Sequence, residues 1–137
     1  MLHILTKILL CFFVSNAYSA SLINCSINSS PIIENGKKNS NNTKVCFIDQ
    51  NTNRFYISES CKYEDCLALE KQKVFLDFNN FITEVGKPGF KLCKALGGKP
   101  SLVNLAIFQN KLHTDKCTFK DESFVSTDYL IEVYLNE

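Results

Sequence analysis

The chain contains no tryptophan, has one histidine beyond its first few residues, and carries almost no net charge, with 15 Lys+Arg against 14 Asp+Glu. The missing indole weakens a sugar-stacking platform and leaves only tyrosine for that role. A neutral balance argues against a dedicated nucleic-acid binder, which needs a basic footprint. No apolar run after the first 20 residues reaches the length of about 20 that a membrane span requires. Catalytic, metal and nucleotide-binding motifs are also missing, so neither a catalytic residue nor a cofactor is expected.

What the sequence has instead is cysteine. Six follow an export-like N-terminus, Cys25, Cys46, Cys61, Cys66, Cys93 and Cys117. An even set in a small exported chain reads as a disulfide framework. The leader is Lys7 followed by the apolar run Ile8 to Val14 and the small residues of Ala17-Tyr18-Ser19, a signal peptide over 1–19 with cleavage after Ser19 or Ala20. The remaining chain is long enough for one modest core, and its expected location is periplasmic or secreted, with no stable membrane span.

Residues 20–44 are rich in Asn and Ser and read as a loop-rich arm held at Cys25, followed by a disulfide-bonded α+β domain over 45–137. Asn24, Asn28 and Asn41 fit the glycosylation acceptor pattern, which matters only in a eukaryote and which so Asn-rich a segment also produces by chance. Val45-Cys46-Phe47-Ile48 and Arg54-Phe55-Tyr56-Ile57 flank a polar turn and predict a β-hairpin. Val74, Phe78, Phe81, Ile82 and Val85 recur at helical spacing, while Val74, Leu76 and Phe78 also alternate, so a helix and a strand over 73–78 both stand.

Pro88 opens and Gly97-Gly98 closes the best-defined helix, with Phe90, Leu92, Cys93 and Leu96 on its inner side and Lys91 and Lys94 outside. Leu102 to Phe108 reads as a strand, Gln109 to Asp115 as a polar connection, Lys116 to Lys120 as a second strand, and Ser123 to Ser126 as an extension of the sheet. The closing segment reads as a helix capped by Asp128 or as a strand. Cys46 and Cys117 each begin a similar Cys-strand-turn-strand unit, by duplication or by chance. The resulting fold class is α+β, small and disulfide-stabilised, with antiparallel hairpins packed against one or two helices. The preferred pairing is Cys93 with Cys117, Cys61 with Cys66 and Cys25 with Cys46.

No motif in the sequence supplies His113 with the orienting group that acid-base chemistry needs, and placed in the polar connection before Asp115 it reads as an exposed loop residue. Cys61 and Cys66 have a spacing that could edge a zinc site, but their expected fate is a disulfide. Five lysines and no acid lie between Val85 and Thr114, whereas Asp121 to Glu137 holds five acids and no base. Lys87, Lys91 and Lys94 are therefore candidate contacts for an anionic protein or envelope component, or else are balanced by Asp128, Glu132 and Glu137.

Gly86-Lys87-Pro88-Gly89-Phe90-Lys91-Leu92-Cys93-Lys94-Ala95-Leu96-Gly97-Gly98-Lys99, with Cys117-Thr118-Phe119-Lys120-Asp121-Glu122-Ser123-Phe124 after it, resembles a small exported bacterial cysteine-rich domain of unknown function, sometimes labelled putative haemolysin. In that module an Asp-Gly-Ser turn follows the later cysteine, and here Glu122 occupies the glycine position. The resemblance implies a bacterial envelope or secreted origin and supplies no active-site residue. The function expected is an exported, non-enzymatic binding or accessory protein. The alternative is a secreted effector, inhibitor or toxin acting on another cell, with a small hydrolase behind both.

Overall fold

The computed structural model describes residues 23–25, 32–34, 37–38, 44–50, 52–82, 84–107 and 110–135. The expected signal peptide, the acceptors at Asn28 and Asn41, and Glu137 lie outside the described residues. The architecture is α+β: one mixed-length antiparallel sheet with short helices against it. Its strands are β1 (Ile23–Cys25), β2 (Ile32–Glu34), β3 (Lys37–Lys38), β4 (Val45–Gln50), β5 (Asn53–Ser58), β6 (Lys99–Ile107), β7 (Asn110–Thr118) and β8 (Phe124–Ser126). The helices are α1 (Leu67–Glu70), α2 (Pro88–Ala95) and α3 (Thr127–Leu135). Across the sheet the order is β1-β4-β5-β8-β7-β6-β2-β3.

The β4–β5 hairpin forms because β-branched and aromatic residues alternate on both sides of a polar turn, pairing Cys46 with Ile57 and Ile48 with Phe55. Alternation also sorts the two faces. Cys46, Ile48, Phe55, Ile57, Cys117 and Val125 point to the helices, where they meet Leu92 of α2 and Leu130 of α3. Val45, Tyr56, Val103, Leu105 and Phe124 form a smaller core on the opposite face. A single register row crosses four strands, Cys46 to Ile57 to Val125 to Cys117, and all four side chains are fully buried. The two Cys-strand-turn-strand units noted in the sequence therefore lie side by side, meeting at β5 and β8.

Three disulfides complete the framework: Cys25–Cys46, Cys61–Cys66 and Cys93–Cys117, with Cα separations of 4.0, 5.2 and 5.6 Å. The first joins directly opposed residues of β1 and β4. The third joins the inner side of α2 to β7, where Gly98 is required by close approach: a Cβ there would lie 2.9 Å from Cys93 Sγ and nearer still to that of Cys117. Gly97, at φ +79°, ends α2 in the left-handed conformation that glycine adopts freely.

Several expectations are corrected. The arm over 20–44 supplies strands to both edges of the sheet, with β1 beside β4 and β2 beside β6. An ion pair secures the second edge: Lys116 Nζ, buried and stacked 5.1 Å from the Phe124 ring centroid, lies 3.0 Å from Glu34 on β2. Burial raises the Glu34 pKa, but the nearby Ser101 hydroxyl and the Lys116 ammonium outweigh it and hold the carboxyl below its usual range. The polar connection expected over 109–115 is, from Asn110 on, the body of β7, paired in unbroken register with β6 from Lys99↔Thr118 to Ile107↔Asn110. The closing segment is helical, and Asp128 stands in its first turn, where a negative charge suits the helix dipole.

Neither the helix nor the strand expected over 73–85 forms. Instead α1 runs into a 3₁₀ turn at Lys71–Lys73, then extended backbone, then a further 3₁₀ turn at Phe78–Phe81 in which the Asp77 carboxylate accepts from the Asn79 amide. A helix over this stretch would gather Val74, Phe78, Phe81, Ile82 and Val85 on one face but would strand Leu76 among Asn79 and Asn80 on the polar side.

Candidate interaction surface

Helix α2 sets the position of the candidate lysines. Pro88 at its start has no amide to leave unsatisfied, and Leu92, Cys93 and Leu96 go into the core, which turns Lys91 and Lys94 outward. Lys87, just before the helix, reaches across to β7. Its Nζ lies 3.1 and 2.9 Å from the two carboxylate oxygens of Asp115, whose side chain is buried. Thr127 Oγ1 approaches the same carboxylate at 3.4 Å, and the Tyr56 hydroxyl donates to the Asp115 carbonyl. Lys91 donates to the Val85 carbonyl at 2.9 Å, and Lys94 is exposed. The three lysines therefore do not converge on one anion site. The matching charge of Lys87 comes from β7 and not from the C-terminal acids expected to supply it, because the extended β6–β7 hairpin brings Asp115 under the start of α2.

Around this pair is a cleft of about 460 Å³, lined by Lys87, Asn104, His113, Thr114, Asp115 and Asp128 among others. It gathers polar groups from α2's entry, β6, β7 and the first turn of α3. Both Asp115 oxygens are engaged by the Lys87 ammonium, so that carboxylate is held as half of an ion pair and is a poor candidate for a free general base. Burial pushes the Tyr56 phenol well above its ordinary pKa, which keeps it a hydrogen-bond donor. His113 is exposed on β7 and not in a loop. Cys61 and Cys66 are consumed by each other. The arrangement suits reversible contact with a polar ligand better than proton transfer.

The surface that sequence reasoning missed lies at 74–85. Leu76, Phe78 and Phe81 turn partly into the main core, while Phe75 and Val85 are 84% and 80% exposed, Ile82 57% and Val74 46%. The segment is held at both ends. The Tyr134 hydroxyl of α3 donates to the Val74 carbonyl at 2.7 Å, and Lys91 of α2 donates to that of Val85. The available signal was the conflict of periods, helical through Val74, Phe78, Phe81, Ile82 and Val85 but alternating through Val74, Leu76 and Phe78, which no single element satisfies. Compared with protein-family models, curated proteins and solved structures, the chain matches none.

Proposed function

We propose that this is an exported, non-enzymatic binding or accessory protein of the periplasm or extracellular space, which engages its partner through the segment 74–85 and the adjoining lysines of α2. The observation that carries this reading is the exposure of Phe75 and Val85 on backbone tethered at both ends. Large apolar side chains left this exposed beside tethered backbone are candidates for contact with a partner. The three disulfides fit an oxidising compartment, and among the described residues no helix is long and apolar enough to cross a membrane. The likeness of 86–99 and 117–124 to an exported bacterial cysteine-rich module is in keeping with an envelope or secreted origin.

The same displayed residues favour, as a second reading, a secreted effector, inhibitor or toxin acting on another cell. A hydrolase has less support, since the Asp115 carboxylate of the cleft is bound by Lys87. The test is retention on the envelope fraction of the source cells. Phe75→Ser with Val85→Ser should release the protein with its melting temperature unchanged. Retention equal to the unaltered protein would refute this surface.

A further inference from the structure

We propose that the sheet holds a slot for an extended segment of a partner polypeptide, between β5 and β7, at the point where β8 leaves the sheet. Strand β8 is three residues long and lies between a strand of six and a strand of nine. Its ladder ends at Ser126, paired with Lys116, and the chain then turns into α3. In the register set by Ile57↔Val125 and Cys117↔Val125, three further residues of β8 would have run between 53–55 and 113–115. Among the described residues no strand takes their place. Two clefts open there instead. His113, Thr114 and Asp115 line the one of about 460 Å³, and Asn53, Arg54 and Phe55 line another of about 380 Å³. Asp128, in the first turn of α3, is on the wall of both.

Backbone chemistry selects the class of occupant. The Asp115 carbonyl accepts from the Tyr56 hydroxyl, so it points toward β5, and the main-chain groups of His113, two residues along the same strand, point the same way. Strand β7 pairs with β6 along its whole length but with β8 only at 116–118, so on this side His113 has no ladder partner among the described residues. An open ladder of this kind is a template for another extended chain. The outermost strands are poorer templates, since β1 has three residues and β3 is only Lys37-Lys38. Charge then selects within the class. Lys87 is held by Asp115, and Arg54 is held by Asp49 at 2.6 and 3.1 Å. The exposed Asp128 carboxylate, common to both clefts, enters no ion pair among the described residues. An incoming strand with a lysine or arginine at that point supplies the missing charge. None of these residues belongs to segment 74–85, so the two sites stand or fail separately.

The test is selection of heptapeptides from a displayed library of random sequence by the disulfide-bonded protein, followed by titration of the enriched peptide in synthetic form. Enriched sequences are expected to hold a lysine or arginine at one fixed position. Methylation of the peptide's central amide nitrogens should weaken binding about tenfold, because it removes ladder donors. Hydrogen exchange at the His113 amide should slow when the peptide binds. Asp128→Asn should weaken binding about threefold to fivefold at low salt, fading as salt is raised, with the melting temperature nearly unchanged. No enrichment, or an enriched peptide that tolerates the methylation or leaves His113 exchange as it was, overturns the slot. Binding indifferent to Asp128→Asn overturns the basic side chain. Slow exchange at His113 in the free protein would show the slot filled by the chain itself or by a second copy, and would overturn the partner.

Discussion

Removal of the Cys93–Cys117 bond should be the costliest single change to the framework, more so than its sequence separation alone implies. The bond closes a separation of 24 residues, for which the chain-entropy relation gives about 3.5 kcal/mol. The same relation gives about the same for Cys25–Cys46, with a separation of 21, and about 2 kcal/mol for Cys61–Cys66, with a separation of 5. Packing then separates the first two. Cys93 and Cys117 are both fully buried and Gly98 lies against both sulfurs, whereas Cys25 is only partly buried. Replacing the first pair by alanine leaves a void between α2 and β7, adding on the order of 1 kcal/mol. A total of about 4–5 kcal/mol is a large share of a small domain's stability. Urea unfolding of the three paired Cys→Ala variants, followed by circular dichroism, should rank the losses as 93/117, then 25/46, then 61/66. A loss for the 93/117 pair below that for 61/66 would refute the reasoning, because neither loop length nor burial could then be governing stability.

Lys87→Ser should cost about 1–2 kcal/mol, a buried-pair loss discounted because the lysine itself is largely exposed, and Asp115→Asn in the same chain should recover part of it; a double-mutant cycle with no coupling would remove the pair from the account. Glu122 adopts φ +65° in the turn after Phe119, so Glu122→Gly should raise stability by up to about 1 kcal/mol, since relief of left-handed strain exceeds the added chain entropy of glycine. Calorimetric melting temperatures decide that case. For Asp121, burial raises the pKa, but hydrogen bonds from the Ser123 hydroxyl and from the Leu67 and Ser123 amides prevail and lower it. Glu34 is lowered in the same way. Carboxyls whose folded pKa is depressed give stability that is complete above the unfolded value and lost as pH falls through the folded one, here below about pH 4. Asp121→Ala should flatten that acid limb in a pH series of urea midpoints, and an unchanged limb would contradict the assignment.

The parts of this fold legible in the sequence are those whose cause is local. Pro88 and Gly97 bracket α2, polar residues separate β4 from β5, and the sulfurs pair in the preferred set. The illegible parts depend on distant partners. Strands β1 and β2 are too short to declare themselves and exist through pairing with β4 and β6. The polarity of β7 disguised it because His113, Thr114 and Asp115 line the cleft instead of an apolar layer. The cleft itself draws on positions 87, 104, 113 and 128, which no local motif links. Residues 74–85 misled for the opposite reason: their hydrophobicity promised a buried element, and the structure turns half of it outward.

The row from Cys46 through Ile57 and Val125 to Cys117 has a consequence for how an oxidised molecule is checked. Side chains alternate between faces, so a slip of one residue between β4 and β5 or between β7 and β8 would send a half-cystine of the row to the wrong side of the sheet. Cys46 would then turn away from Cys25, or Cys117 from Cys93. The cross-links at Cys46 and Cys117 can close only on a correctly aligned ladder, so each acts as a proofreading latch: a misregistered chain keeps its thiols free to realign, and only the aligned one is sealed by oxidation.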